Sequence, residues 1–326
     1  MSRLLYLIAA SILVVFFGSC DTSFSPSAPF EPRMVVYCVL NTNCDTQYVR
    51  VYSTYNPPDN DPSKNPGEVP VKDARVSITE QGGATFSFQP MTFPRVDTSR
   101  YTSAIDAYYA YPFRPGRGRT YALTVSSASM GTMTARTTVP GQASVEPVNP
   151  FVLSSPVMNR DDFGLSARLA PEAKGFLGHI YIDYLFTLDD RTYTPKRFEI
   201  PQGRRVINRY MPLFEETYPR PRRKQLANEV VAYSRAAYLD KISYIYDREG
   251  ASIRFKQAVF YLIQFDAPVW NNYGLANRFN DRFTVRIDEP DYTNIPNGAG
   301  IFGSTTVDSL VRVLPEVIGH LPPGSY

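Results

Sequence analysis

Six residues near the C-terminus form the chain's best match to a cofactor motif. Gly298, Gly300 and Gly303 fit the G-x-G-x-x-G pattern, in which a glycine turn brings a helix N-terminus against a pyrophosphate. That chemistry requires a strand before the glycines and a helix after them. Here residues 294–297 have a loop composition and the β-rich run 304–313 follows. We therefore predict no nucleotide or other cofactor, and a glycine loop with positive φ angles that lets backbones approach closely.

The sequence offers few residues for metal binding or for nucleophilic catalysis. The two histidines, His179 and His320, lie far apart and outside any metal-binding pattern. There is no G-x-S-x-G motif and no neighbouring Cys–His pair. The chain has 31 acidic residues, so a glycoside hydrolase that uses carboxylates alone is an unfavoured alternative. We predict no catalytic residue, no metal site and no enzymatic activity.

Aromatic residues are more suggestive of binding. The chain has 23 Tyr and 20 Phe, and several of them fall close together with few aliphatic neighbours. The residues of this candidate contact cluster are Tyr101, Tyr108, Tyr109, Tyr111 and Phe113. Exposed aromatic rings stack on sugars or anchor protein interfaces. The alternative interpretation is a tyrosine-rich sheet face.

The N-terminus has the form of an export signal. Arg3 precedes the apolar run 4–17, which ends in the small residues Gly18 and Ser19 and then Cys20. The run is shorter than the roughly 20 residues of a membrane span. This arrangement resembles a bacterial lipobox, in which residues 1–19 are removed and Cys20 carries acyl chains such as palmitate. Two or three chains hold a protein durably on a bilayer, and residues 20–32 then read as a Ser/Pro-rich tether.

Two further cysteines, Cys38 and Cys44, flank a predicted turn between two strand-like runs. An exported protein folds in an oxidising compartment, so a disulfide across this turn is one prediction. The alternative is one buried thiol and one loop thiol.

The elements that position these residues are mainly strands. The 28 prolines and the tyrosine and phenylalanine excess favour β structure over helical bundles. Short alternating runs broken by Gly and Pro over residues 33–140 predict an immunoglobulin-like β-sandwich. In one such run, Tyr48, Arg50 and Tyr52 alternate with Val49 and Val51, so the two sets lie on opposite faces of one predicted strand.

The rest of the chain predicts a second unit. Residues 141–156 are proline-rich and non-periodic, so we assign a linker there, followed by a β-rich domain over 157–326 with one or two short helices. Residues 253–265 are apolar on both faces in the middle and predict a central strand. Residues 268–280 suit a short helix, and 222–246 fit helix and strand equally.

The charge is nearly balanced, with 34 basic and 31 acidic residues and a net charge of +3. Nucleic-acid binding needs a strongly basic surface. We therefore expect no nucleic-acid partner.

Four stretches resemble a known family. They are Met34-Val35-Val36-Tyr37, the run 71–78 (VKDARVSI), the run 119–125 (RTYALTV) and, most specifically, the run 294–303 (NIPNGAGIFG). The last is similar to the motif N-I-x-N-G-x-G-I-F-G of DUF4249, a family of Bacteroidota lipoproteins of unknown function. The residues that carry this motif loop are Asn294, Ile295, Asn297, Gly298, Gly300, Ile301, Phe302 and Gly303.

The resemblance implies an outer-membrane lipoprotein of a kind that is often associated with TonB-dependent receptors. We accordingly expect a lipid-anchored, non-enzymatic binding or accessory protein on either the periplasmic or the outer face. Its expected partners are the bilayer, a TonB-dependent β-barrel receptor, or a polysaccharide or peptide ligand. A structural envelope or adhesion module is the competing class.

Overall fold

The chain is mainly β, as predicted. The computed structural model describes residues 30–57, 61, 64–65, 67–96, 98, 101, 103–148, 163–186, 192–200, 206–208, 211–213, 221–233, 253–278 and 292–314. The described helix is α1 (Ala267–Arg278), and the described strands are β1 (Met34–Asn41), β2 (Gln47–Ser53), β3 (Arg75–Glu80), β4 (Thr85–Ser87), β5 (Gln89–Phe93), β6 (Ile105–Ala110), β7 (Thr120–Ser127), β8 (Gly131–Thr138), β9 (Ser144–Val148), β10 (Phe163–Arg168), β11 (Gly175–Phe186), β12 (Thr194–Glu199), β13 (Val206–Asn208), β14 (Met211–Leu213), β15 (Arg222–Arg223), β16 (Asn228–Tyr233), β17 (Ile253–Phe265) and β18 (Ala299–Val313).

One nine-stranded sheet runs through both halves of the sequence. Its order is β12-β11-β17-β18-β1-β2-β6-β5, with β15 paired to β11. The first and last described strands, β1 and β18, are neighbours and run parallel, with Val36 opposite Gly300 and Cys38 opposite Phe302. The predicted domain bounds remain a prediction, but the sheet itself is continuous across them.

Two smaller sheets pack on the same inner face of the long sheet. Side chains alternate between the faces of a strand, so every second residue of the long sheet is available to a core. One core gathers inward residues of β1 and β2, such as Val36 and Val51, with Ile78 and Leu123 of the four-stranded sheet β4-β3-β7-β8. This gives the N-terminal part a sandwich-like arrangement.

The second core lies further along the same face. It gathers Ile180 and Ile182 of β11 and Phe260 of β17 with Leu165 and Val231 of the three-stranded sheet β16-β10-β9. β17 coincides with the predicted central strand 253–265, and it lies between β11 and β18. Its position explains why its sequence is apolar on both faces.

A row of buried polar residues separates the two cores on the inner face. This inner seam consists of Gln264, Ser304, Thr306 and Asp308, each less than 9% exposed. The seam binds the chain that crosses from β8 to β9. Thr306 Oγ1 donates to the carbonyl oxygen of Pro140 at 3.0 Å.

The same crossing is held by Gln264 and Asp308. The Gln264 amide nitrogen donates to the carbonyl oxygen of Gly141 at 2.9 Å, and the Ala143 amide donates to Asp308 Oδ2 at 3.1 Å. Arg117 pairs with the other oxygen of Asp308. The start of the predicted linker, residues 141–143, is therefore bonded into the sheet junction, while 149–156 lie outside the described residues.

The predicted helix over 268–280 is confirmed as α1, with bounds shifted by one or two residues. In the ambiguous run 222–246, β15 and β16 are strands, residues 224–227 are not helical, and 234–246 lie outside the described residues. The predicted signal segment 1–19 and residues 20–29 of the predicted tether also lie outside them.

Asp266 joins three elements where α1 begins. Its Oδ1 accepts a hydrogen bond from the Val269 amide at 3.0 Å, which caps the helix N-terminus. Its Oδ2 accepts from the hydroxyl of Thr137 on β8 and from that of Ser304 on β18 at 2.8 Å. Burial raises the pKa of the Asp266 carboxyl to about 6, although these hydrogen bonds act in the opposite direction.

We expect Asp266→Asn to change how stability depends on pH. The folded pKa is about 6 against an ordinary value of 3.8, so the folded state holds the proton more tightly. Wild-type stability relative to the variant is greatest below pH 4 and falls by on the order of 2 kcal/mol as the pH rises through 6. Urea unfolding of both proteins between pH 4 and 7 measures this. A difference that does not vary with pH contradicts the assignment.

Candidate binding face

The outer face of β2 carries three long side chains in a row. Tyr48, Arg50 and Tyr52 alternate with Val49 and Val51, which are fully buried in the first core. The alternation places the three on the face of the long sheet away from both cores. We call them the outer stripe. The alternation in the sequence predicted the strand, but it did not identify these three residues as a site.

Neighbouring strands add aromatic rings to the outer stripe. Tyr37 lies opposite Arg50 on β1, and its ring centre is 6.5 Å from that of Tyr52. Phe93 of β5 meets Tyr48 edge-to-face at 5.5 Å, a preferred geometry for aromatic pairs. Tyr48 remains 45% exposed. The Tyr48 ring is thus packed against Phe93 and still partly exposed.

Arg50 lies at the centre of an ion-pair network. Its guanidinium lies 4.6 Å from the centre of the Tyr52 ring. Its Nη2 donates to both oxygens of Glu68 at 2.9 Å. Arg95 also donates to Glu68, at 2.6 Å, and lies 5.5 Å from the centre of the Tyr101 ring. Two guanidinium groups therefore share one carboxylate.

Two buried polar atoms of the outer stripe, Arg50 Nε and the Tyr52 hydroxyl, have no hydrogen-bond partner among the described residues. A buried polar atom left unpaired costs about 1–3 kcal/mol. The fold tolerates this cost on β2, the strand that also carries the exposed Tyr48.

A second cluster lies on the same outer face, on β11 and its neighbours. His179 Nδ1 and Glu199 Oε1 are 2.5 Å apart, and each side chain is 17% exposed. The rings of Tyr181 and Tyr261 meet edge-to-face at 5.7 Å, and Arg197 lies 5.5 Å from the centre of the Tyr181 ring. His179 is therefore within a strand and pairs with an acid.

The charged side chains Arg197 and Asp183 of this second cluster form an ion pair. The Arg197 guanidinium donates to both oxygens of Asp183, at 2.5 and 3.1 Å, and lowers the pKa of that carboxyl. Burial, reinforced by Glu199, raises the pKa of the Tyr181 hydroxyl. These shifts favour an ionised Asp183 beside a neutral Tyr181. The cluster can offer fixed hydrogen-bond groups and ring faces to a ligand.

The predicted aromatic cluster over 101–113 is not one exposed surface. Tyr108 and Phe113 are 6% and 1% exposed and belong to the first core, which corrects that part of the prediction. Tyr109 is half-buried and lies opposite Tyr48 on the outer face. Tyr111 is 70% exposed in the turn after β6. Neighbouring strand residues point to opposite faces, so closeness in sequence did not produce one patch.

The motif loop is bonded to the start of β18 and packed against the first core. The Asn294 side chain donates to the carbonyl oxygen of Phe302 at 2.8 Å and accepts from the Phe302 amide at 2.9 Å. Ile295 and Phe302 are buried in or against the first core. Ile301 is 6% exposed, and Asn297 adopts a φ of 62°. The loop is thereby tied to the start of β18.

The motif glycines allow close approach, as predicted. Gly300 has a φ of 97°, and a Cβ there would overlap the carbonyl of Val36 on β1. A Cβ at Gly298 would stand 2.8 Å from the Met34 carbonyl oxygen, and one at Gly303 would stand 2.5 Å from a Val269 methyl of α1. The glycines let β1, β18 and α1 meet.

Cys38 and Cys44 are both free thiols, the second of the two arrangements that the sequence left open. Cys38 is buried on β1 and Cys44 is exposed in the following turn. Strand alternation directs Cys38 into the core, where burial raises the pKa of its thiol. A bridge to the turn would require it to leave that position.

We expect only one of these two thiols to react in the folded protein. In a Cys20→Ser form, an aromatic disulfide reagent should label Cys44 within minutes and Cys38 only after denaturant is added, because the buried thiol forms little thiolate. Release of two equivalents from the native protein, or of none, contradicts the structure.

The described residues contain neither a metal-binding group nor a membrane-spanning helix. In that part of the chain, no three His, Cys, Asp or Glu side chains come together in a group suited to a metal ion. Over the same residues, every helix is too short or too polar to cross a bilayer. The predicted lipidation site, Cys20, and the second histidine, His320, lie outside the described residues.

Comparison with known proteins supports the resemblance seen in the sequence. Residues 21–162 match the family model DUF4249, described as a domain of unknown function. No curated protein matches the chain. The matched region contains β1 to β9 and therefore the whole outer stripe. Residues 21–162 are therefore similar to the DUF4249 family.

Proposed function

We propose that this chain is a non-enzymatic, lipid-anchored protein of the outer membrane that binds an extracellular polymer through the outer stripe. The observation that carries the proposal is the aromatic and arginine face of β2, on which Tyr48 is 45% exposed. The face is a sheet surface, and flat aromatic surfaces suit extended ligands. The N-terminal sequence, with Cys20 after an apolar run, supports the anchor.

A partner receptor is the second candidate function. Val39 of β1 and Met91 of β5, each 41% exposed, belong to the two strands whose rings contact the outer stripe. Apolar side chains grouped with tyrosine and arginine are typical of protein interfaces. A TonB-dependent β-barrel is the partner that the resemblance implies.

The anchor is tested by Cys20→Ser. We expect the native protein to fractionate with membranes and the variant to be soluble, because the variant has no acyl chain to bury methylene groups at about 0.8 kcal/mol each. Mass spectrometry of the native N-terminal peptide should find Cys20 as residue one with acyl chains. A free thiol at Cys20 in native material, or a variant that remains in the membrane fraction, contradicts the anchor.

The outer stripe is tested by Tyr48→Ala in the soluble form. We expect the variant to lose about tenfold to a hundredfold in affinity for the polymer or receptor, since an exposed aromatic anchor is worth about 1–3 kcal/mol. Tyr111→Ala is the matched control, because Tyr111 is more exposed but lies outside the outer stripe. Equal losses in both variants contradict the proposal.

A further inference from the structure

The charge of the outer stripe is unbalanced. Arg50 and Arg95 both pair with Glu68, so these three described side chains together carry one net positive charge. Arg95 is also held by its Nε, which donates to the Ser103 carbonyl oxygen at 2.8 Å, and its side chain is only 12% exposed. The Arg50 side chain is 34% exposed. The surplus charge therefore reaches the surface at Arg50.

The chemistry of Arg50 specifies the kind of group that would bind there. A guanidinium nitrogen can only donate, so a ligand group that pairs with Arg50 must be an acceptor. Arg50 Nε and the Tyr52 hydroxyl are buried, so a ligand contacts the exposed part of the Arg50 side chain, which is 34% exposed. An anionic oxygen group there would accept a hydrogen bond and balance the surplus charge.

An aromatic side chain lies next to this charge on the same strand face. Tyr48 is two residues from Arg50, so their Cα atoms are about 6.7 Å apart. The Tyr48 ring contacts Phe93 edge-to-face, and Tyr48 is 45% exposed. A hexuronate has a ring with an apolar C–H face and a carboxylate on one edge. Such a sugar offers one group to each of the two side chains.

We propose that the outer stripe binds an acidic polysaccharide, with a hexuronate ring stacked on Tyr48 and its carboxylate paired with Arg50. This rests on the proposed polymer-binding function and names its ligand class. Arg50 Nη2 is already bonded to both oxygens of Glu68, so the ligand carboxylate accepts a charge-assisted hydrogen bond from another N–H of the guanidinium. Tyr48 supplies affinity that is independent of charge.

The test uses a pair of ligands that differ only in charge. The soluble Cys20→Ser chain is titrated calorimetrically with polygalacturonate, alginate and hyaluronan, and with fully methyl-esterified polygalacturonate as the neutral match. We expect binding of at least one acidic polymer, weakened by salt, and affinity for the ester lower by about tenfold or more, as expected for a lost charge-assisted hydrogen bond.

Variants assign the effect to Arg50. Arg50→Gln should reduce affinity for the acid to that for the ester, and Arg50→Lys should recover part of it by restoring charge without the fork. Arg136→Gln is the control, since Arg136 is exposed on β8 in another sheet. Circular dichroism melts establish that each variant is folded.

The outcomes separate this inference from the proposed function. If acid and ester bind equally through Tyr48, the acidic ligand class is wrong and polymer binding stands. If Arg136→Gln weakens binding as much as Arg50→Gln does, the site is wrong. If none of the acidic polymers binds, the inference is overturned, and a receptor captured in a Tyr48-dependent way would then support the protein-partner alternative.

Discussion

Replacing Gly300 with alanine is expected to lower the free energy of unfolding by about 3–5 kcal/mol, or to prevent folding. Gly300 has a φ of 97°, which is unfavourable for any residue with a Cβ. The added Cβ would also overlap the Val36 carbonyl and lie 3.0 Å from the Val36 nitrogen. Backbone atoms of a central strand cannot move aside without disturbing the β1–β18 pair. Chemical denaturation of the soluble form measures the loss.

Gly82→Ala is the matched control for this prediction. Gly82 has a similar positive φ of 73°, but a Cβ there would meet nothing within 4 Å. Its substitution should cost only the backbone strain of about 1–2 kcal/mol. The difference between the two variants isolates the close approach of β1 to β18. Equal losses would mean that the two strands are not packed as described.

The second large effect is expected for Gln264→Leu, at about 3 kcal/mol. Gln264 is fully buried in the inner seam. Its amide donates to the Gly141 carbonyl oxygen at 2.9 Å and accepts from the Ala170 amide at 2.8 Å. Leucine keeps the volume but leaves two backbone groups buried without partners, each at a cost of about 1–3 kcal/mol.

Gln257→Leu provides the comparison on the same strand. Gln257 points to the outer face and donates to Asp183 Oδ2 at 2.7 Å, but it is only half-buried. Water can replace its hydrogen bond, so the expected loss is below about 1 kcal/mol. If the outer substitution costs as much as the inner one, the seam does not hold the β8–β9 crossing as described.

Local patterns in the sequence predicted the local structure well. Alternation and apolar composition predicted β17 to the residue and gave the type of α1. The glycines of the motif loop implied a positive φ, which Gly300 adopts, and a close approach of backbones. These features depend on residues that are near each other in the chain. Periodicity reports such neighbours directly.

Long-range pairing could not be predicted. β1 and β18 are far apart in the sequence, and no local pattern in either strand predicts that they pair in parallel. The inner seam was missed for the same reason. Ser304, Thr306 and Asp308 alternate with partly apolar residues and look like a solvent-facing row, yet they are buried against residues 137–143.

The candidate site depends on strand geometry and on the pairing of distant strands, and density along the sequence reports neither. The cluster over 101–113 was chosen by density along the chain, and strand geometry divided it between the core and the surface. The outer stripe is formed by alternate residues of one strand and by rings from β1 and β5. Only the pairing of those strands brings the rings together, so sequence density is a poor guide to surface aromatic patches in β proteins.

Hydroxyl-radical footprinting on intact outer membranes, compared with the purified soluble chain, tests the central claim most directly. The central claim is that the outer stripe is the surface that the protein uses for binding. Tyr48 and Met91 are exposed in the isolated chain and their side chains oxidise readily. We predict that both are protected in the native envelope while Tyr111 reacts equally in the two settings. Equal oxidation of Tyr48 and Met91 in both settings would contradict the account.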